Sequence, residues 1–214
     1  MYTPEHFAAS PAAIQELLGR PGAANLVTAT AGGLLATLLP FTHDPSIGEH
    51  GALHMHVARN NSQWAEAALG EALAIVQGAD AYISPSWYAA KTEHGRVVPT
   101  WNYLTAHVYG ELVIHEDPDW LMQQLRALSN LNEADKERPW TVEDAPARYV
   151  AGQLRAIVGV ELVITRIEAK AKLSQNRPVN DIPGLVEGLH GHGEHAMAAL
   201  VANARKGEVP GVVL

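Results

Sequence analysis

The chain contains no cysteine. That removes disulfides, thiolate nucleophiles and Cys-ligated zinc or iron–sulfur centres, and it is compatible with a reducing compartment. Long apolar runs are also missing: none approaches the roughly 20 residues a membrane helix needs. Glu5 and Pro11 fall where a signal peptide wants an unbroken apolar core, so neither a leader nor a membrane partner is expected, and the cytoplasm is the expected location. Positive charge is scarce. With 15 Lys and Arg against 23 Asp and Glu, the formal net charge is −8, which opposes general attraction to phosphate backbones. No helix-turn-helix with a basic recognition face stands out, because Glu137, Glu143 and Asp144 dilute the basic residues between Asp135 and Arg155. GxGxxG, GxxxxGK followed by Ser or Thr, and GxSxG are all absent, so a dinucleotide fold, a P-loop and an α/β-hydrolase lack their signatures.

What is present is an ordinary globular composition, 47% apolar over 214 residues, enough for one large core or two small ones. Glycine and proline are scattered and no solenoid-length repeat is visible, so one domain over residues 1–214, with a helical extension at its carboxyl end, is expected. Ser10-Pro11 opens a short helix through Ile14, Leu17 and Leu18. Ala24–Thr30 and Leu34–Phe41 flank Ala31-Gly32-Gly33 as a hairpin. Leu53, Met55 and Val57 alternate with His54 and His56 as a half-buried strand, and Ser62 is placed to cap a helix carrying Trp64, Ala68 and Leu69. Ala72–Ser84 and Val97–His115 are strand-like. Helical spacing follows in Leu121, Leu125 and Leu128 behind Asp117-Pro118, and again in Val150, Leu154 and Ile157. Val160, Leu162 and Ile164 predict a last strand. Leu185, Leu189, Met197, Leu200 and Val201 predict a terminal helix that Gly188, Gly191 and Gly193 weaken. Strands joined mostly by hairpins, with helices inserted late, argue for an antiparallel sheet with helices outside it; closure would remove its edges.

Three short segments crowd aromatic, hydroxyl and amide side chains together: YISPSWY at Tyr82–Tyr88, VPTWNY at Val98–Tyr103, and KLSQNRP at Lys172–Pro178. Such side chains make a flat, wettable binding wall. With MYTPEHF at the amino end and HVARNNSQW at His56–Trp64, they occur in the order of the PaiB-type family, which the chain resembles over nearly its whole length. The resemblance implies an FMN-binding, pyridoxamine-phosphate-oxidase-like split β-barrel, a homodimer with flavin at the subunit interface, and a role as a negative transcriptional regulator, with DNA reached directly or through a partner. Two other functions stay open. One is a flavin-dependent oxidoreductase without DNA binding; the other is a flavin or haem carrier.

The resemblance also assigns residues. A phosphate-binding turn falls on Arg59, Asn60 and Ser62, where a guanidinium fork and free backbone N–H groups suit an anion; a capped helix with a solvated Arg59 is the plainer alternative. Trp87, Tyr88, Trp101 and Tyr103 offer apolar faces, against the alternative of core or interface packing. Thr100 and Asn102 suit the ring edge, Ser84 lies within the first aromatic segment, Lys91 lies between the two segments within reach of phosphate or ring, with a solvated loop lysine as the alternative, and Gln175 and Asn176 are placed over the flavin or a neighbouring subunit. No catalytic residue is assigned. No metal is expected at His190, His192 and His195, whose glycine-separated spacing lacks the fixed geometry of a zinc site, nor at His54 and His56.

Overall fold

The computed structural model describes residues 1–204. Its strands β1 (Ala23–Thr30), β2 (Gly33–Pro40), β3 (Thr42–Asp44), β4 (Ala52–Ala58), β5 (Ala72–Ile83), β6 (Thr100–His115) and β7 (Ile157–Lys172) form one sheet in the order β2-β1-β5-β6-β7-β4-β3. Helices are α1 (Pro11–Gly19), α2 (Ala89–Glu93), α3 (Pro118–Glu133), α4 (Ala147–Leu154), α5 (Ile182–Gly191) and α6 (His195–Asn203). This is the expected antiparallel split barrel with helices outside it. The described residues pack as two compact units, residues 1–17, 77–106 and 168–204 in the first and residues 18–76 and 107–167 in the second.

In the second unit, β1 and β2 pair from Ala23↔Pro40 to Thr30↔Gly33, so the expected hairpin forms with a two-residue turn, Ala31-Gly32, and Gly33, expected in the turn, is the first residue of β2. β4 pairs antiparallel with β7 and with β3. The sheet order leaves β2 at one edge and β4 beside the other, and a side chain joins them. Buried Gln63, just after β4, donates to the Leu26 carbonyl at 3.0 Å and to Thr28 Oγ1 at 3.2 Å, and accepts from Thr37 Oγ1 on β2. An amide with both ends satisfied bridges where no backbone ladder runs. Helix α3 is capped by Asp117, which accepts from the N–H groups of Asp119 and Trp120. Trp120 stacks on His115 at 4.1 Å and packs so closely over Gly159 that a Cβ there would lie 2.3 Å from its ring. Glu161 lies beneath, with His54 Nε2 at 3.2 Å and His115 Nε2 at 2.8 Å.

One expected helix does not form. Asn61, not Ser62, is the cap, its side chain accepting from Gln63 N, and the element is a single 3-10 turn over Ser62–Trp64. Ala65, Glu66, Ala67 and Leu69 are exposed, so no apolar stripe is buried to stabilise a longer helix.

In the first unit the terminal helix is two helices, α5 and α6, separated where Gly193 adopts φ 79°. Gly184 and Gly188 seat α5 on Trp87: a Cβ at the first would meet the Trp87 carbonyl oxygen at 2.3 Å, and at the second the Trp87 ring at 2.3 Å. The glycines that weaken the helix by propensity are the ones its packing requires.

Candidate functional site

VPTWNY and KLSQNRP meet in the first unit. Thr100 and Asn102 from the start of β6 and Lys172, Ser174, Asn176 and Arg177 from the end of β7 line a recess of about 210 Å³. Its floor is a buried polar contact: Asn102, 0% exposed, places both amide atoms on Ser174 Oγ, Nδ2 at 3.0 Å and Oδ1 at 3.1 Å. Ser174 has φ 63°, the left-handed region that a serine occupies only when its surroundings hold it there. Gln175 completes the turn, accepting from Leu173 N at 2.7 Å and donating to the Ala171 carbonyl at 2.6 Å.

Among the described residues that line the recess, the charged ones are Lys172 and Arg177. Lys172 donates to the Trp101 carbonyl at 2.7 Å and to Thr100 Oγ1, both neutral oxygens. Arg177 lies over the ring of buried Tyr88 at 4.3 Å. Lys170 and Lys172 both stand within 6.0 Å of the Tyr103 ring centroid, at 5.6 and 5.9 Å. Burial first, then Lys170 and Arg177, push the Lys172 ammonium below the usual lysine range. In the same unit Trp101, 54% exposed, meets Tyr82, 47% exposed, edge-on at 6.1 Å.

The other expected site residues divide by what they touch. Trp87 is occupied by α5 and by His192 at 5.1 Å. Ser84 caps the turn at Pro85–Trp87, and Lys91 donates to Ser86 Oγ at 2.9 Å. In the second unit Arg59 donates through Nε to the Arg155 carbonyl at 2.9 Å, through Nη2 to the Ile157 carbonyl at 3.1 Å, and through Nη1 to Glu116 at 2.5 Å. Three of the five guanidinium N–H donors are thus used, and two remain. Asn60 and Ser62 are exposed. The groove that follows them, about 610 Å³, is lined by Glu66, Glu71 and Glu111. His190 Nδ1 and His195 Nδ1 stand 3.0 Å apart, while His192 turns to the Gly188 carbonyl.

Lys172, Ser174 and Arg177 are absent from the residues chosen on sequence, although the segment was. Its amides drew the reading because their donor and acceptor pairs match a flavin edge. The signal for the others was the pair of cations flanking a hydroxyl.

A split barrel that carries an exposed aromatic pair and, in the same unit, a polar, cationic recess suits a flat, phosphate-bearing cofactor. The chain belongs to the family described as "Putative FMN-binding domain", which it matches over residues 1–166, and FMN is the cofactor of that family. It is 31% identical over 191 residues to the "Protease synthase and sporulation protein PAI 2" of Bacillus subtilis, covering 88% of this chain and 89% of that protein. An uncharacterized protein of Emericella nidulans is 32% identical over 185 residues, 73% of each chain. Among solved structures, the conserved hypothetical protein Rv2991 from Mycobacterium tuberculosis aligns with a TM-score of 0.55 at 14% identity, covering 83% of this chain and 94% of its own. The FAD and heme binding protein from Mycobacterium smegmatis aligns with a TM-score of 0.51 at 17% identity, covering 78% and 74%. At those identities the likeness is one of fold.

Proposed function

We propose that the chain is an FMN-dependent redox protein whose flavin ring lies against the Trp101–Tyr82 surface of the first unit. The observation that carries this reading is the solvent-facing Trp101–Tyr82 pair, in the same unit as a recess whose lining among the described residues holds hydroxyls and cations and no carboxylate. FMN, when bound, supplies hydride and single-electron chemistry; the protein binds it, orients it and tunes it. Trp101 and Tyr82 offer apolar faces, and the Thr100 hydroxyl, which accepts from Lys172, keeps its own proton to donate. A homodimer goes with this reading: β2 turns Leu34 and Leu38 outward, 76% and 63% exposed, and a second subunit would cover them. Purified protein should be yellow, oxidise NAD(P)H, and scatter light as a dimer at low micromolar concentration. A colourless protein that takes up no added FMN overturns the proposal.

A role in gene control is the second reading, favoured by the likeness to the Bacillus subtilis protein, whose name joins protease synthesis and sporulation. The net charge of −8 favours action through a partner over direct operator contact. Titration of promoter DNA with the pure protein across a salt series tests it. Tight, sequence-selective binding at physiological salt would show that the protein needs no partner.

A further inference from the structure

We propose that Lys172 is a nucleophilic amine that captures a small aldehyde as a Schiff base in the recess between the VPTWNY and KLSQNRP segments. The setting of the side chain carries the inference. Lys172 lines the recess together with the hydroxyl residues Thr100 and Ser174. Its Nζ has two hydrogen-bond acceptors among the described residues, Thr100 Oγ1 and the Trp101 carbonyl at 2.7 Å, and both are neutral oxygens. An uncharged amine carries two N–H groups and one lone pair. With both N–H groups engaged on those oxygens, the lone pair is what the amine has left to offer the recess. A carboxylate partner would hold the group as an ammonium, whose nitrogen cannot attack, whereas neutral oxygens accept from the free amine as well.

The other described lysines are set differently. Lys136 pairs with Glu133 at 3.8 Å, Lys91 donates to Ser86 Oγ at 2.9 Å on the exposed surface, and Lys170 donates to the Tyr2 carbonyl at 3.3 Å. Around Lys172 stand Lys170 on the same strand, Arg177 in the turn that follows, and the Tyr103 ring at 5.9 Å. Burial first, then the charges of Lys170 and Arg177, favour its uncharged form, the form in which a lysine attacks a carbonyl carbon. The step balances without a co-reactant. The Lys172 nitrogen bonds to the aldehyde carbon, the carbonyl π pair moves to oxygen, and the two amine protons leave with that oxygen as water, so that C=N replaces C=O. The Thr100 hydroxyl accepts from Lys172 and keeps its own proton, so it is placed to pass that proton to the departing oxygen and to take one back from the nitrogen. A recess of about 210 Å³ has room for a short-chain aldehyde.

The test is reductive trapping. The full chain is treated with limiting propanal and cyanoborohydride, which reduces the imine to a propylamine, and peptide mass spectrometry reads the labelling rate at each lysine. At neutral pH Lys172 should label at least about ten-fold faster than Lys91 and Lys136, and the advantage should vanish in urea, where the recess is gone. Lys170→Gln removes a neighbouring cation, so the pH profile of Lys172 labelling should move to higher pH relative to that of Lys91. Lys172→Arg, shown to be folded by circular dichroism, should lose the fast labelling phase. Labelling of Lys172 no faster than that of Lys91 and Lys136, an advantage that survives in urea, or a profile that Lys170→Gln leaves in place overturns the proposal. The labelling needs no flavin, so a protein that binds no FMN fails the functional proposal and can still pass this test.

Discussion

Three glycines on α5 provide a graded test of what Trp87 is for. An alanine at Gly184 would set its Cβ 2.3 Å from the Trp87 carbonyl oxygen, at Gly188 2.3 to 2.6 Å from three ring atoms of Trp87, and at Gly191 in open space. Each substitution gains up to about 1 kcal/mol of helix propensity, less near a helix end. Against that gain stands overpacking of about 1 to 3 kcal/mol where the new methyl has no room. At Gly184 the obstacle is backbone and cannot rotate away, so a net loss of about 1 to 2 kcal/mol is expected. At Gly188 the indole can shift, and the loss should be smaller. Gly191→Ala should be neutral or stabilising by a few tenths of a kcal/mol. Urea unfolding followed by far-ultraviolet circular dichroism measures all three. Equal effects within about 0.5 kcal/mol would mean that α5 does not sit on Trp87, and would return that indole to the flavin.

Asn102→Ala leaves the buried Ser174 hydroxyl without its partner and the left-handed turn without its support, and should cost about 1 to 3 kcal/mol in the same assay. Burial holds His107 below the usual histidine range, so below about pH 6.5 the unfolded chain binds more protons than the folded one and stability falls as pH falls. His107→Gln should flatten that acid limb in a series of thermal melts.

The strands were legible where apolar residues alternate and turn residues bound them. Leu53, Met55 and Val57 marked β4, and Ala31-Gly32-Gly33 marked the β1–β2 turn, whose last glycine belongs to β2. The Asp117-Pro118 pair located the start of α3 to the residue, because a cap is a local hydrogen-bonding device that needs no tertiary partner. Strand β7 was seen only as far as Ile164 and runs to Lys172, since its later residues Arg166, Glu168 and Lys170 keep the ladder without keeping an apolar period. The helix expected after Ser62 failed for the converse reason: its residues favour a helix but bury no face. At the candidate site, the aromatic and amide-rich segments could be picked out by composition. That Trp87 serves α5, that Gln175 closes its own turn, and that Lys172 and Arg177 share a recess are matters of tertiary placement, which spacing along the chain does not encode.

The direct test of the flavin site is an equilibrium titration of FMN into the purified protein and its Trp101→Ala variant, followed by flavin fluorescence. The wild-type chain should take up one FMN per subunit with quenched emission. Loss of the indole face should weaken binding about two- to ten-fold, the worth of an aromatic contact of about 0.5 to 1.5 kcal/mol. Undiminished affinity and undiminished quenching in Trp101→Ala would contradict the placement of the flavin on that surface.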